Sequence, residues 1–281
     1  MLTRADIAAG ARRLSDDGYA LRLVSNRAVL ERLNLAPFGL PLTTADLLAA
    51  PGADWSVDDL MRVYNVLNAT AFGDKGIPLQ NWVMIDLGLL PSAFVLITLP
   101  VARAAAAMAG DGDRPPGHGR ARRVLSAVLD EAARLAYAGP IPVAGYCAAP
   151  TPTPGSWVGW SLCSAIPGIG TTAKGLGLEV YRARTLTGIA QFSDLGLRVH
   201  RKFGRMEVLR AVLDLHPVAH TMVYRTDVYE SDAETTPTMW MDCRDLAAQR
   251  EMQARLDAGT SRFYVLSPGL VDDRVPILEC N

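Results

Sequence analysis

The sequence has no charge excess, no spaced cysteine framework and no apolar run long enough to cross a membrane. Its 28 Lys and Arg residues balance 29 Asp and Glu residues, for a net charge of -1, so no global field attracts a polyanion such as duplex nucleic acid. The 4 cysteines lie far apart and form no CxxC pair. Reduced thiols and a cytoplasmic protein are therefore expected.

Segments that direct a chain to or through a membrane are also missing. Charge at the start of the chain replaces the apolar run of a signal peptide, which predicts that the protein is not exported. The most apolar window, residues 87–102, is shorter than the roughly 20 residues of a membrane span and contains Pro91 and Pro100. We therefore expect this window in the core and expect no membrane partner.

The apolar composition is sufficient for a packed core. Of the 281 residues, 49% are hydrophobic and 20% are charged, and a chain of this size buries roughly three quarters of its unfolded surface. We predict a single large domain over 1–281, with a possible division into 1–110 and 120–281 around the polar, Gly- and Pro-rich segment 111–119. Residues 135–173 carry no charge, which indicates an interior segment.

Helical and strand-like patterns alternate along the chain. Such alternation predicts an α/β (α+β) fold with a mixed central sheet and helices on both faces. The predicted helices cover residues 3–14, 44–50, 56–72, 121–137, 174–184, 194–203 and 245–256. The predicted strands cover residues 19–24, 82–86, 93–99, 141–148, 156–166, 188–192, 207–214, 221–228 and 263–266.

A glycine-rich segment joins the strand predicted at 156–166 to the helix predicted at 174–184. A strand that ends in glycines and opens a helix presents backbone N–H groups and the positive end of the helix dipole to one point, as a phosphate or pyrophosphate requires. The threonines add hydroxyl donors and the lysine adds charge. An ordinary Gly-rich turn is the alternative. The candidate anion-binding residues are Gly168, Gly170, Thr171, Thr172, Lys174, Gly175 and Gly177.

The segment 157–228 resembles part of the GCN5-related N-acetyltransferase (GNAT) family. Thr172-Ala-Lys-Gly175-Leu-Gly177 occupies the place of the family's Gln/Arg-x-x-Gly-x-Gly/Ala turn. The segment 193–204 follows the family's strand end, helix and closing glycine, with a serine in place of its asparagine. The resemblance implies a GNAT-like C-terminal half in which the turn binds the pyrophosphate of acyl-CoA or acetyl-CoA.

The resemblance also implies a general acid. His200 stands where the family's tyrosine often has that role, and an imidazole can donate a proton at neutral pH. Backbone N–H groups of residues 163–165 are the expected oxyanion donors. Burial makes two carboxyls candidates for the general base, Asp86 in an apolar strand and Glu179 in the helix after the glycines. A histidine that only packs and a solvent-exposed Glu179 are the alternatives.

Aromatic residues of the uncharged segment predict an apolar substrate pocket, although they are also typical of a core. His216 and His220 have a spacing seen among metal ligands, but Pro217 breaks the helix that would bring both rings to one face. We therefore expect no metal. The expected pocket residues are Tyr146, Trp157, Trp160 and Cys163.

These expectations favour transfer of an acyl group from a CoA or other thioester to the amine of a small-molecule substrate. One alternative is a tRNA-dependent aminoacyl transferase of similar fold, with a basic groove near the glycine turn. Two others are a non-catalytic protein that binds an apolar small ligand and a lyase that uses Lys174 as a buried amine. The groove residues are Lys174, Arg182, Arg184, Arg201 and Lys202.

Overall fold

The structure is a computed structural model that describes residues 1–46, 59–73, 90–109, 118–194, 196–214, 216–231 and 235–281. It has a mixed α/β fold with a large mixed sheet and several helices. The predicted strand 82–86, which contains Asp86, and most of the predicted linker lie outside the described residues. Within the described ranges, no helix combines the length and the apolar character needed to cross a membrane.

Helices and strands alternate along most of the chain, as predicted. The helices are α1 (Arg4–Asp16), α2 (Asp59–Gly73), α3 (Val101–Ala109), α4 (His118–Arg134), α5 (Ile169–Val180), α6 (Gly196–Arg201) and α7 (Leu246–Asp257). The strands are β1 (Ala20–Ser25), β2 (Thr43–Asp46), β3 (Ala93–Leu99), β4 (Ile141–Pro150), β5 (Ser156–Ser164), β6 (Thr185–Gln191), β7 (Gly204–Arg210), β8 (Thr221–Val228), β9 (Met239–Asp242), β10 (Arg262–Val265) and β11 (Arg274–Cys280).

The chain forms two compact units. The N-terminal unit comprises Ile7–Pro150 and Trp160–Arg182, and the C-terminal unit comprises Met1–Asp6, Thr151–Gly159 and Ala183–Asn281. The boundaries fall within α1, at the end of β4, within β5 and between α5 and β6.

Each unit has its own pattern of strand pairing. In the N-terminal unit the strand order is β2-β1-β3-β4; β1 pairs with β2 in parallel, whereas β1/β3 and β3/β4 are antiparallel. In the C-terminal unit the order is β5-β6-β8-β7-β10-β11-β9, and the pairs that follow the parallel β5/β6 pair are antiparallel. A parallel pair needs a crossover connection, which α5 supplies between β5 and β6.

The core of the N-terminal unit forms around β3 and β4. All 7 residues of β3 are buried, and its unbroken run of aromatic and β-branched residues is typical of a strand covered on both faces. A Cβ on Gly145 of β4 would overlap the ring of Tyr64 in α2, whereas Tyr146 packs at Gly177 of α5. Because successive strand residues point to opposite faces, α2 and α5 lie on opposite faces of β4.

In the C-terminal unit, one sheet face is apolar and the other is charged. Buried residues of β6, β7, β8 and β10 pack with Leu197 of α6 and Met252 of α7 in one cluster. On the other face, carboxylate oxygens of Glu207 lie 2.6 Å from Arg225 Nη2 and 2.7 Å from Arg262 Nη2. The two faces follow from the side-chain period of two in a strand, and partly exposed ion pairs of this kind add little to stability.

Several elements differ from the sequence-based prediction. Thr43–Asp46 form β2, where the pattern predicts a helix over 44–50, because these residues pair with β1; pairing with a distant strand overrides a weak local preference. The pattern also misses α3, β9 and β11. Pro276 of β11 has no N–H for a sheet ladder, which argues against a strand, but its carbonyl accepts a hydrogen bond from Leu266 N at 2.9 Å.

Candidate functional site

The carboxyl end of β5 leads directly into the first turn of α5. β5 ends at Ser164, and Gly168, the residue before α5, has a φ of 85° and provides no side-chain cap. A left-handed φ favours glycine, and a Cβ here would meet no described atom within 4 Å. The first N–H groups of a helix lack intrahelical partners. Those of Ile169, Gly170 and Thr171 therefore lie at the positive end of the α5 dipole.

The later glycines of this segment have a packing role. α5 begins at Ile169 instead of residue 174, so Gly175 and Gly177 lie inside the helix, where N–H groups donate to carbonyls of the preceding turn. A Cβ on Gly175 would lie 2.5 Å from Ile7 Cδ1, and a Cβ on Gly177 would overlap the ring of Tyr146. These glycines let α5 approach α1 and β4 closely, and their amides are not at the open helix end.

Thr172 is partly exposed and lies beside α1. Its Oγ1 would lie 3.2 Å from a Cβ on Gly10 of α1, which places the Thr172 side chain against α1. Among the predicted anion-binding residues, the ones at the open start of α5 are therefore Gly168, Gly170 and Thr171.

Lys174 lies in the middle of α5 and is completely buried, at 0% exposure. Desolvation disfavours the ammonium form and lowers the pKa of Lys174 to about 7. Lys174 is therefore not a permanent surface cation, which corrects its predicted place in an exposed anion site.

The structure describes one of the two candidates for the general base. Glu179 lies in the last turn of α5 and is buried, so the alternative of a solvent-exposed Glu179 is wrong. It follows Gly175 by one helical turn and shares the side of α5 that faces α1. Asp86, the other candidate, lies outside the described residues.

The predicted pocket residues do not share one environment. Trp157 is 2% exposed and Trp160 is 48% exposed, and strand residues an odd number of positions apart point to opposite faces. Tyr146 is buried, with its ring centroid 5.7 Å from that of Tyr181. Burial raises the pKa of the Cys163 thiol to about 12. Cys163 is therefore a neutral core thiol, and Trp160 is the member of the set that contacts solvent.

The sequence analysis did not predict a buried polar cluster that lies between α2 and β5. Asn68 Nδ2 donates to Ser161 Oγ at 2.5 Å, and Cys163 Sγ donates to Tyr64 Oη at 3.8 Å. Tyr64 and Asn68 are four residues apart and share one face of α2. An asparagine on the apolar face of the predicted helix 56–72 was the available signal. Burial raises the pKa of Tyr64 well above its usual value, so the cluster is uncharged and joins α2 to β5.

His200, the predicted acid, is held by a tyrosine in the C-terminal unit. It lies on α6 and is partly exposed. Its Nδ1 is hydrogen-bonded to Tyr224 Oη at 2.9 Å, and the two ring centroids are 5.3 Å apart. Tyr224 is buried in β8, and desolvation raises its pKa. The hydroxyl therefore stays protonated wherever a histidine titrates.

Two arginines fix α6 to its unit although the helix has only 6 residues. Arg201 is 1% exposed; its Nε donates to Val265 O at 2.7 Å and its Nη1 donates to Gly204 O at 2.5 Å. Arg198 Nε donates to Leu270 O at 2.6 Å. Hydrogen bonds from charged donors are stronger than neutral ones. The position of His200 is thus set by arginine contacts with the backbone.

Only three of the five residues predicted to line a basic groove are exposed. Arg182, Arg184 and Lys202 are exposed, but Lys174 and Arg201 are buried and present no charge to a polyanion. This removes two of the cations on which the tRNA-dependent alternative depends.

Neither a metal site among the described residues nor a similar known protein identifies the chemistry of this site. Among the described residues, no group of three or more His, Cys, Asp or Glu side chains is arranged to hold a metal ion. No family model, no curated protein and no solved structure matches this chain.

Proposed function

We propose that this protein is an acyltransferase of GNAT-like architecture that moves an acyl group from a CoA thioester to an amine of a small molecule. One observation carries the proposal. β5 passes through Gly168 into the uncapped start of α5, and α5 leads to β6, the strand parallel to β5. In α/β proteins, ligands bind at the carboxyl ends of parallel strands, and helix N-termini hold phosphates there.

The first turn of α5 supplies the contacts for the donor's diphosphate. The N–H groups of Ile169, Gly170 and Thr171 point out of a helix of 12 residues, whose dipole favours an anion at this end. Hydrogen bonds from N–H groups to a charged phosphate are shorter and stronger than neutral ones. Gly170 and Thr171 are partly exposed, so a ligand can reach them from solvent.

The transfer itself needs a proton donor and a proton acceptor. The substrate amine attacks the thioester carbonyl carbon, the new C–N bond forms and the C–S bond breaks. The His200 imidazolium gives its Nε2 proton to the departing thiolate, which leaves as a thiol. A carboxylate, Asp86 or Glu179, takes the proton that the amine loses.

Ligand-dependent stability tests the phosphate site. We expect CoA to raise the melting temperature and pantetheine, which lacks the phosphates, to raise it less, because a ligand that binds the folded state stabilises it. The variant Thr171→Asp places a carboxylate at the helix start, which suits the helix dipole but repels phosphate. It should fold normally and lose at least about tenfold in CoA affinity.

The matched control for charge is Thr171→Asn, which keeps the shape of the new side chain and should bind CoA within a few-fold of the original protein. If Thr171→Asp binds CoA as tightly as Thr171→Asn does, the start of α5 is not the phosphate site and the proposed function loses its basis.

A further inference from the structure

Three elements of the C-terminal unit meet at one tyrosine. Tyr224 of β8 lies directly opposite Gly188 of β6 in the antiparallel register. A Cβ on Gly188 would lie 2.7 Å from Tyr224 Oη, so the glycine leaves the space that the tyrosine's hydroxyl end occupies. From there the hydroxyl reaches His200 Nδ1 at 2.9 Å. A glycine in a strand weakens it, and here it permits a specific contact with α6.

The hydrogen bond with Tyr224 is made by Nδ1 of the His200 ring. We propose that Tyr224 is a positioning residue that holds His200 through Nδ1, so that proton exchange with a substrate takes place at Nε2. The inference rests on the proposed acyl transfer, in which His200 is the acid. It adds the residue that orients the acid and the nitrogen at which the acid acts.

The chemistry of a phenol explains why this contact orients the ring and takes no part in the proton transfer. Burial raises the pKa of Tyr224, so its hydroxyl does not ionise and does not carry a proton away. It is therefore a hydrogen-bond partner that orients the ring without competing in the transfer. The nitrogen that a histidine uses is set by the hydrogen bond that its other nitrogen makes.

With Nδ1 bound to Tyr224, each proton in the transfer from His200 to the leaving thiolate is accounted for. In the imidazolium form, Nδ1–H donates to the Tyr224 hydroxyl oxygen and Nε2 carries the second proton. The Nε2–H bond breaks, and its proton forms the S–H bond of the leaving thiol. The proton that remains is on Nδ1, where Tyr224 still accepts its hydrogen bond. Solvent returns a proton to Nε2 before the next turnover.

Nitrogen NMR of histidine measures the arrangement without any substrate. The protein is labelled with ¹⁵N in its histidine rings, and the His200 signals are assigned by their loss in His200→Gln. At a pH where the ring is neutral, we expect the Nδ1–H tautomer for His200 in the original protein, because the proton that stays on Nδ1 donates to the Tyr224 hydroxyl oxygen. In Tyr224→Phe, which removes only the hydroxyl, we expect the two nitrogen signals to move toward the average of a tautomer mixture.

A second variant breaks the contact while keeping both polar residues. In Gly188→Ala the new methyl group displaces the Tyr224 hydroxyl, so the His200 signals should change as they do in Tyr224→Phe. The control is Tyr264→Phe, because Tyr264 lies on β10 and stacks with Arg205 and Arg262. This control should leave the His200 signals unchanged.

Three results would overturn the inference: a tautomer mixture in the original protein, an Nε2–H tautomer there, or an unchanged tautomer in both Tyr224→Phe and Gly188→Ala. Kinetics then connect the tautomer with catalysis. In the acyl-transfer assay, Tyr224→Phe should lower kcat about tenfold and leave KM for the donor within about twofold, as loss of one orienting hydrogen bond predicts. An original protein without transferase activity would refute the proposed function while the tautomer result stands.

Discussion

Replacing Lys174 with methionine should weaken the rise in the protein's stability between pH 7 and pH 9. Lys174 has 0% exposure, and desolvation lowers its pKa from 10.5 to about 7. Methionine fills a similar volume with an unbranched chain and carries no charge. The folded state then no longer has to bury an ammonium group or to release its proton.

The size of the effect follows from the two pKa values of Lys174. The folded value lies below the unfolded value, so between pH 7 and pH 10.5 the unfolded chain binds more protons and stability rises with pH. At about 1.36 kcal/mol per pKa unit, the whole window corresponds to about 5 kcal/mol. Between pH 7 and pH 9 the gain is about 2 kcal/mol. Below pH 7 both states are protonated and the penalty of burial is complete.

Urea denaturation at pH 7, 8 and 9 measures this difference. The free energy of unfolding of the original protein should rise over that range by about 2 kcal/mol more than that of Lys174→Met. Lys202→Met is the matched control, because Lys202 is exposed and its loss should not alter the pH dependence. If the original protein and Lys174→Met give parallel curves, the lysine is not a buried group with a lowered pKa and the placement of α5 is incorrect.

Two further outcomes test the packing of α5 and the role of α6. Gly177→Ala should lower the free energy of unfolding by about 1–3 kcal/mol, since its methyl group overlaps Tyr146; Gly119→Ala, at an exposed helical position with open space, should be neutral or stabilising by up to about 1 kcal/mol. Equal effects in chemical denaturation would contradict the close approach of α5 to β4. His200→Ala should lower kcat about a hundredfold while CoA still raises the melting temperature, and a variant with full turnover would remove His200 from the mechanism.

Local patterns predicted the elements whose formation depends on neighbouring residues. β3 and β8 have the predicted bounds, 93–99 and 221–228. At the start of α1, Thr3 N donates to Asp6 Oδ2 at 2.8 Å and Asp6 N donates to Thr3 Oγ1 at 3.2 Å, so two nearby residues form a capping box. Asp245, the first residue of the helix predicted at 245–256, caps α7. These features were predictable because each is formed within a few residues of the chain.

The candidate site was only partly predictable, since its glycines look alike in the sequence. Gly168 has a left-handed φ of 85° with open space around it, whereas Gly175 and Gly177 lie against Ile7 and Tyr146. The first permits a turn and the others permit close packing. Only the position of α1 and β4 relative to α5 separates these roles, and both partners are far away in the sequence.

By itself, the sequence determined the class of fold, the buried strands and the segment in which a strand passes into a helix through glycine, because periodicity and glycine act locally. The tertiary structure decided the start of α5, the burial of Lys174 and the pairing of His200 with Tyr224, which is 24 positions away. Solvent exclusion and a contact between separate elements exist only once the strands have paired, so no local pattern encodes them.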